Sequence, residues 1–387
     1  MFYAPVRRFL FFLLPLAFLA QPAPASAEEI PWEWSGIERV VVIGDLHGDY
    51  ESFIKILKGT QVVDGDLRWA AGKTHFVQTG DIMDRGPDAR KILDLMMGLE
   101  KEAEAAGGMV HVLLGNHEEL NLTGIVFSSN ADYVTLDQFI SFLPEGYRKQ
   151  QEEALAKKIL KLRTSNRRTD PKTVMDEFWK SLRGDPSAQK QYLLNFNEEY
   201  GPWLRRLNVA IKINDVVYVH GGINEKYSKW GLKEINDRYR RELTDNWREI
   251  RRPEQSMNPR PSIVPPSILY QSDSPLWYRE LATVPEADLK EEVDAILENL
   301  GARAMIIAHT PVVPRTPRDM QRFGGRIWIV DTGISRVYGG PASALVIQNG
   351  DFHVWGVGDE NDNEPDSAGL YPFCPWTEHP DPVPAGR

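Results

Sequence analysis

Six polar residues that can bind metal ions stand where apolar runs give way to loops. Each has glycine or alanine as a neighbour, and the six are Asp45, His47, Asp81, Asn116, His220 and His309. Carboxylate, imidazole and amide groups suit manganese, iron or zinc, and one carboxylate can bridge two such ions. The set contains no cysteine, which excludes a structural zinc finger. These residue types therefore predict metal-assisted chemistry if the fold gathers them.

Strand and helix patterns alternate in the first third of the chain. Strands are predicted at residues 39–43, 75–78 and 109–114, and helices at residues 49–58 and 87–107. In such a βαβαβ arrangement the strands are parallel, and ligands bind beyond their carboxyl ends. We therefore expect an α/β fold in which the loops after the three strands meet at one edge of the sheet.

Further strands are predicted in the second half of the chain, at residues 209–213, 216–219, 304–308 and 326–330. Turn signals at residues 214–215 and 349–350 indicate two hairpins, and residues 252–266, rich in proline, are expected to form an irregular loop. The remaining candidate ligands are expected to be structural, hydrogen-bonded histidines: His75, His111, His353 and His379.

Residues 145–207 interrupt the strand pattern with charged, helix-forming sequence. Asp170-Pro171 and Asp185-Pro186 are typical of a helix cap followed by a first-turn proline. Residues 145–190 contain 12 basic and 7 acidic residues, a local charge of +5. These residues are either solvated helix faces or a cap that steers anionic substrates. Because none of them matches a ligand motif, we expect the insert to affect substrate choice and spare the chemistry.

Composition limits the class of protein and its partners. The chain has 387 residues, of which 42% are hydrophobic, so it can bury a large core. Without residues 1–27, which hold two arginines and no acid, the formal charge changes from −10 to −12. An acidic protein has no overall positive field for a nucleic-acid partner. The single cysteine, Cys374, rules out an internal disulfide.

The first residues are typical of a secretory signal peptide. Arg7 and Arg8 precede an apolar run at residues 9–20, and residues 25–27 read Ala-Ser-Ala before two glutamates. The run is shorter than the roughly 20 residues that a membrane span needs. We therefore expect cleavage after residue 27, a periplasmic or secreted location and no stable membrane span. Residues 359–387, acidic and rich in proline, are expected to form a loose tail.

The ordered motifs resemble those of a known family. They read GDLHG at residues 44–48, GDIMDRG at 80–86, GNHE at 115–118, HGG at 220–222 and AHTP at 308–311. This set is similar to that of the calcineurin-like metallophosphatases, and within them to the phosphoprotein phosphatase branch. The segments SPLWYR (274–279) and DTG (331–333) look most like the bacterial Shewanella-like protein phosphatases. The resemblance implies a β-sandwich flanked by helices, here with an inserted helical cap.

The resemblance also implies roles for individual residues. Asp45 and His47 would bind one metal ion, Asp81 would bridge two ions, and the second ion would be completed by Asn116, His220 and His309.

Charge neutralisation and proton donation require further residues. Arg85 and Arg279 can each present a planar guanidinium to phosphate oxygens. Asn116 is also expected to bind the phosphate. His117 is the expected general acid, oriented by Asp84. One position departs from the family: Ser335 stands where the eukaryotic enzymes carry a tyrosine, although Tyr338 is near in sequence.

The sequence therefore predicts a phosphomonoesterase with two metal ions, manganese, iron or zinc. Two such ions make hydroxide available near neutral pH, so a bridging hydroxide would attack phosphoserine, phosphothreonine or phosphotyrosine of a protein directly. A nucleotide or dinucleoside-polyphosphate hydrolase of the same superfamily is the alternative enzyme. A non-catalytic phosphate-binding scaffold is the alternative from another class.

Overall fold

The computed structural model describes residues 29–129, 131–164, 170–252 and 267–357. Two compact units make up the chain, residues 1–31 and 32–387, and the elements named below belong to the second. The predicted signal peptide, the predicted tail and all but the first residue of the proline-rich loop lie outside the described residues. Those assignments stay predictions.

Eleven strands occur in the described residues and form two sheets. They are β1 (Glu33–Trp34), β2 (Arg39–Ile43), β3 (His75–Gln78), β4 (Met109–Val112), β5 (Ala210–Ile213), β6 (Val216–Val219), β7 (Ala304–Ile307), β8 (Gln321–Arg322), β9 (Ile327–Ile329), β10 (Ala344–Gln348) and β11 (Asp351–Trp355). One sheet has the order β1-β5-β6-β7-β9-β8, and the other β11-β10-β2-β3-β4. Strands β2, β3 and β4 are parallel neighbours, as the βαβαβ pattern predicts.

Helices connect and cover these sheets. They are α1 (Tyr50–Gly59), α2 (Ala89–Ala105), α3 (Asn116–Thr123), α4 (Val126–Ser129), α5 (Leu136–Phe142), α6 (Glu145–Thr164), α7 (Pro171–Arg183), α8 (Pro186–Glu199), α9 (Gly201–Leu204), α10 (Glu225–Ser228), α11 (Gly231–Ile250), α12 (Glu280–Thr283) and α13 (Glu286–Leu300), with short 3₁₀ helices at Ala131–Tyr133 and Pro317–Met320. Within the described ranges, no helix combines the length and apolar character needed to cross a bilayer.

The two sheets pack face to face, with helices on the outside. Val40 and Val42 of β2 belong to an apolar cluster that also contains residues of β5, β6 and β7 from the other sheet. Val41 and Ile43 belong instead to the larger cluster that includes the helices. Burial on both faces explains why β2 is an uninterrupted apolar run. The predicted α/β fold with two sheets and flanking helices is confirmed.

The helical region between β4 and β5 is longer than the predicted insert. Helices α6 to α9 occupy the predicted range, and Asp170 and Asp185 cap α7 and α8 through their side chains. The helical segment nevertheless begins at Asn116, directly after β4. Residues 116–126 are buried throughout, so the charge pattern that marks the insert is absent from the first part of this helical segment.

Aromatic rings join the insert to the core. Tyr192 of α8 stacks on Phe139 of α5, with ring centroids 5.6 Å apart and planes 7° apart. Phe142 lies edge-on to Tyr192, Phe196 and Tyr200. Such pairs add to the free energy of packing beyond simple burial. Helix α8 is therefore anchored in the core, whereas much of α6 is exposed.

Candidate metal centre and active site

Loops at the carboxyl ends of the strands carry the candidate residues in unusual backbone conformations. Five non-glycine residues there have positive φ: His47 (43°), Asp81 (57°), Asp84 (71°), Arg85 (65°) and His309 (65°). Such conformations are costly for residues with a Cβ and persist only where the surroundings enforce them. The side chains are therefore aimed by a fixed backbone.

Glu118 enforces the conformation of the loop after β3. Its Oε2 accepts hydrogen bonds from the backbone N–H groups of Asp81 (2.8 Å) and Gly115 (2.9 Å). Its Oε1 accepts from Ile82 (2.9 Å) and Met83 (3.0 Å). One buried carboxylate thus ties the loop after β3 to the start of α3. The sequence reasoning assigned no role to this glutamate, although the GNHE motif contains it.

Backbone carbonyl groups orient two of the histidines towards Asp81. The Nδ1 atom of His47 lies 3.0 Å from the carbonyl oxygen of Met83, and that of His220 lies 3.0 Å from the carbonyl oxygen of Thr79. Each Nδ1–H therefore donates to backbone, which leaves Nε2 as the ligand atom. The Nε2 atoms lie 3.9 Å (His47) and 3.4 Å (His220) from Oδ2 of Asp81.

Two groups of buried side chains share Asp81. One consists of His47, Asp81 and His117, and the other of Asp81, His220 and His309, each with its ligand atoms within 4.8 Å of one another. A shared carboxylate between two such groups is the arrangement that a bridging ligand needs. Sequence reasoning had placed His117 outside the ligand set.

Two buried polar atoms beside this centre lack hydrogen-bond partners among the described residues, Nε2 of His309 and Nδ2 of Asn116. Oδ1 of Asn116 lies 2.9 Å from Nε2 of His220, in the second group. Buried polar atoms are almost always satisfied, so an unpaired imidazole nitrogen next to a carboxylate is typical of a ligand position. The donor set fits a metal ion here.

Asp45 lies beside a second buried carboxylate, Asp331. The carboxylate oxygens of Asp45 are 3.9 Å from Nε2 of His47 and 3.7 Å from Nδ1 of His220. Asp45 also accepts a hydrogen bond from the backbone N–H of His309 at 3.4 Å. Burial and the neighbouring Asp331 raise the pKa of Asp45 well above its usual value. Burial likewise raises the pKa of Asp331 to about 6. Two adjacent buried carboxylates need a cation to carry full charge. The DTG motif was the only sequence signal for Asp331.

The other candidate ligands are in forms that metal ions bind. Burial lowers the pKa of His47 and of His309 well below the usual value, which keeps both imidazoles neutral. Burial alone would raise the pKa of Asp81, but the facing imidazoles of His220 and His117 lower it well below its usual value. The centre therefore offers a charged shared carboxylate and neutral imidazole nitrogens.

His117 and Asp84 form a buried pair next to this centre. Nδ1 of His117 donates to Oδ2 of Asp84 at 2.7 Å, and its Nε2 lies 4.0 Å from Oδ2 of Asp81 and 3.4 Å from Nη2 of Arg85. Burial lowers the pKa of His117, but the two carboxylates outweigh burial and raise it above its usual value. A protonated imidazole that presents Nε2–H is thus available as a proton donor.

Asp84 is itself held by side chains that sequence reasoning missed. Gln138 donates from Nε2 to Oδ1 of Asp84 (2.7 Å), and Asn121 donates from Nδ2 to Oδ2 (2.8 Å). The hydroxyl of Tyr192 contacts both amides. No motif marks these three residues, which come from α5, α3 and α8.

Arg85 lies between two tyrosines at the mouth of the site. Its guanidinium carbon is 4.8 Å from the ring centroid of Tyr133 and 5.3 Å from that of Tyr338. Tyr338 also lies 5.7 Å from the ring of His47. Ser335, which a gapless match to the family's motif places at the tyrosine position, is buried. Tyr338, three residues later, contacts Arg85 and His47 in its place.

Comparison with known proteins identifies the family. The model of the calcineurin-like phosphoesterases matches residues 38–313. The chain belongs to this family.

Shewanella-like protein phosphatase 2 of Arabidopsis thaliana is 31% identical over 235 residues, which cover 58% of this chain and 56% of the relative. The chain thus matches less than two thirds of that relative's length. Shewanella-like protein phosphatase 1 of Plasmodium berghei is 26% identical over 308 residues, 78% of this chain and 68% of the relative.

Solved structures give the same assignment. The cold-active protein-tyrosine phosphatase of a psychrophilic Shewanella species superimposes with a TM-score of 0.57 at 28% identity, covering 84% of this chain and 80% of that one. Together these matches confirm the resemblance inferred from the motifs. The chain is an enzyme of the metallophosphatase class.

Arg279 approaches the centre of this calcineurin-like phosphoesterase from the side of the second group. Its Nη1 donates to the carbonyl oxygen of His309 (2.7 Å) and to Oγ1 of Thr310 (3.2 Å). Nearby, Nε1 of Trp277 donates to Oε2 of Glu119 at 2.6 Å, and the Trp277 ring lies 6.0 Å from that of His309. The other predicted site residues are gathered around Asp81, whereas Arg279 contacts the backbone carbonyl group of His309, a candidate metal ligand. Glu119 was not predicted.

Proposed function

We propose that this chain is a metal-dependent phosphomonoesterase that removes phosphate from phosphorylated proteins. The observation that carries the proposal is the position of Asp81, shared by two groups of buried ligand atoms and adjacent to both a guanidinium and a buried imidazole–carboxylate pair. Phosphate ester cleavage needs this combination: cations, an anion-binding group and a proton donor.

The residues that would hold two ions are Asp45, His47 and Asp81 on one side and Asp81, Asn116, His220 and His309 on the other. When bound, such ions supply an activated water and polarise the phosphoryl group. Manganese, iron and zinc all match these donor types.

The side chains of the protein supply the remaining steps. Arg85 is placed to bind phosphate oxygens through its planar donors, and its stacking between two tyrosines fixes the plane of the fork. His117 is placed to give its Nε2 proton to the leaving oxygen. Asp84 holds Nδ1 and favours the imidazolium before transfer.

Phosphotyrosine is the substrate side chain that we expect to be accepted best. The support is twofold: Tyr133 and Tyr338 supply aromatic faces beside Arg85, and the solved structures that superimpose with a TM-score of 0.57 are named tyrosine phosphatases. Aromatic faces pack well against an aryl ester and add little for a serine phosphate.

A metal-reconstituted assay tests these points together. The metal-free enzyme is supplied with manganese, iron or zinc and given one peptide sequence phosphorylated on serine, threonine or tyrosine, with diadenosine tetraphosphate as a fourth substrate. We expect phosphate release from the phosphotyrosine peptide, abolished by chelator. Cleavage of the dinucleotide without peptide turnover would favour the alternative hydrolase, and absence of any turnover with every metal would favour a phosphate-binding scaffold.

We also propose that the protein is exported. The support is the run of two arginines, an apolar stretch and Ala-Ser-Ala within residues 1–27. Expression of the full chain in a bacterium, followed by fractionation and N-terminal sequencing, should recover protein beginning at Glu28 outside the cytoplasm. Recovery of uncleaved cytoplasmic protein would refute export.

A further inference from the structure

The buried pair of His117 and Asp84 depends on a hydrogen-bonded ring that closes on the inserted helices. Gln138 contacts Asp84 twice, because its Oε1 accepts from the backbone N–H (2.8 Å) and its Nε2 donates to Oδ1 (2.7 Å). Asn121 donates from Nδ2 to Oδ2 of Asp84 (2.8 Å) and to the carbonyl oxygen of His117 (2.9 Å). The carboxylate is thus held by two amide groups.

The hydroxyl of Tyr192 contacts both amides and favours the orientation in which the nitrogen of Asn121 faces Asp84. It donates to Oδ1 of Asn121 at 2.7 Å and accepts from Nε2 of Gln138 at 3.1 Å. A side-chain amide has an oxygen on one side and nitrogen on the other, so a donor that engages the oxygen directs the nitrogen to the opposite side. With Tyr192 in place, the nitrogen of Asn121 faces Asp84. A flipped amide would present its oxygen to the carboxylate and repel it.

The position of this hydroxyl does not depend on its own hydrogen bonds. The ring of Tyr192 is fully buried among Phe127, Phe139, Phe142 and Phe196, with centroids between 5.2 and 6.1 Å away. A phenylalanine at this position would therefore keep the packing and lose only the hydroxyl. The residue comes from α8, 71 positions after Asn121.

We infer that Tyr192 is a positioning residue for the general acid, acting through Asn121 and Gln138 on Asp84 and thereby on His117. The inserted helices are then part of the proton-donating machinery, in contrast to the expectation that they affect substrate choice alone. This inference rests on the proposed function, since it concerns the proton that the leaving group receives.

The first test compares Tyr192→Phe with Tyr200→Phe. Tyr200 belongs to the same aromatic stack, but its hydroxyl bonds to Asp94 (2.5 Å), away from the site. With metal saturating, kcat is measured on phenyl phosphate and on 4-nitrophenyl phosphate. We expect Tyr192→Phe to lose about 10-fold on the phenyl ester, a fraction of what a positioned acid contributes, and under about 2-fold on the nitrophenyl ester. Tyr200→Phe should change neither. Equal losses on both esters, or none, would overturn the inference.

A double-mutant cycle with His117→Asn gives a second readout that a purely structural role would not move. If Tyr192 acts through His117, Tyr192→Phe should have no further effect on phenyl phosphate once His117 is replaced. The same fold loss in both backgrounds would overturn the inference while leaving the proposed function intact. A wild-type enzyme that hydrolyses neither ester would overturn both.

Discussion

Replacement of Glu118 by glutamine tests whether one buried carboxylate holds the loop that carries Asp81. The side chain keeps its size, but one of the two oxygens becomes an NH₂ group. Because each oxygen accepts from two backbone N–H groups, either orientation of the amide leaves two of the four hydrogen bonds unmade. The NH₂ group then faces two N–H donors at close range.

The expected cost follows from these contacts. A hydrogen bond to a charged acceptor contributes about 1.5–3 kcal/mol, so two lost bonds correspond to roughly 3–6 kcal/mol. Part of this is offset, because burial raises the pKa of Glu118 and so shows that its charge is itself disfavoured. We therefore expect the free energy of unfolding to fall by about 2–4 kcal/mol, a large share of the ~5–15 kcal/mol typical of a domain.

The assay is urea unfolding of the metal-free protein, together with titration of the metal by calorimetry. Glu119→Gln is the matched control: it lies next in the same helix, is equally buried, and bonds to Trp277 and Tyr270 away from the loop. Metal affinity should drop for Glu118→Gln and stay near wild type for Glu119→Gln. Unchanged metal affinity with a stability loss under about 0.5 kcal/mol, the size of an ordinary surface substitution, would refute the role of Glu118.

Four further predictions concern the metal centre, the proton donor His117, the stability of the protein at low pH and the inserted helices. Asp81→Asn should weaken both metal positions, and elemental analysis that still finds two ions per chain would contradict a bridging role. His117→Asn should retain metal and slow turnover of phenyl phosphate by about 10² to 10⁴, with a smaller loss on aryl esters that leave easily; equal losses would exclude a proton donor. Burial lowers the pKa of His75 from 6.5 to about 4 and that of His111 well below its usual value. The unfolded chain therefore binds protons that the native state does not, and the free energy of unfolding should fall as the pH drops from about 6.5 to 4. His111→Gln should make this fall shallower in urea unfolding at several pH values. An unchanged slope would show that the buried histidines do not cause the fall. Changing the three exposed lysines between residues 157 and 161 to glutamate should raise KM for acidic phosphopeptides and spare kcat for a small aryl phosphate. The rise in KM should shrink as salt is added, because exposed charges are screened beyond about 8 Å. A rise in KM that does not depend on salt would mean that charge steering does not cause it.

The sequence was sufficient to predict the fold and the edge at which the polar residues meet. Strands β2, β3 and β6 begin and end as predicted, because each is a short apolar run that changes to polar residues or glycine at its carboxyl end. Strand β4 is two residues shorter than predicted, since Leu113 makes only an isolated bridge to Asn208. Apolar residues that continue past a strand end do not reveal where the ladder stops.

The pair formed by His75 of β3 and His111 of β4 shows the limit of residue type as a guide. His75 and His111 have the same chemistry as the candidate ligands, yet Nε2 of His111 lies 2.9 Å from Nδ1 of His75 and the rings pack on Trp34. No carboxylate lies among these described contacts. The ordered motifs separated these two histidines from the candidate ligands, because neither His75 nor His111 belongs to any of them.

The supports of the site were out of reach for a different reason. Asn121, Gln138 and Tyr192 have no spacing or motif in common, and the ring that they form depends on contacts across 54 and 71 residues. A buried tyrosine in an aromatic helix face looks in sequence like any core residue. The hydrophobic periodicity of the helix predicts that the ring is buried, but it does not predict the hydrogen-bond partners of the hydroxyl. What distinguishes Tyr192 from Tyr200 is only the partner of that hydroxyl, an amide that leads to Asp84 in one case and a peripheral carboxylate in the other. Motifs can therefore locate the groups that touch substrate, while the groups that hold them in place follow only from the packed structure.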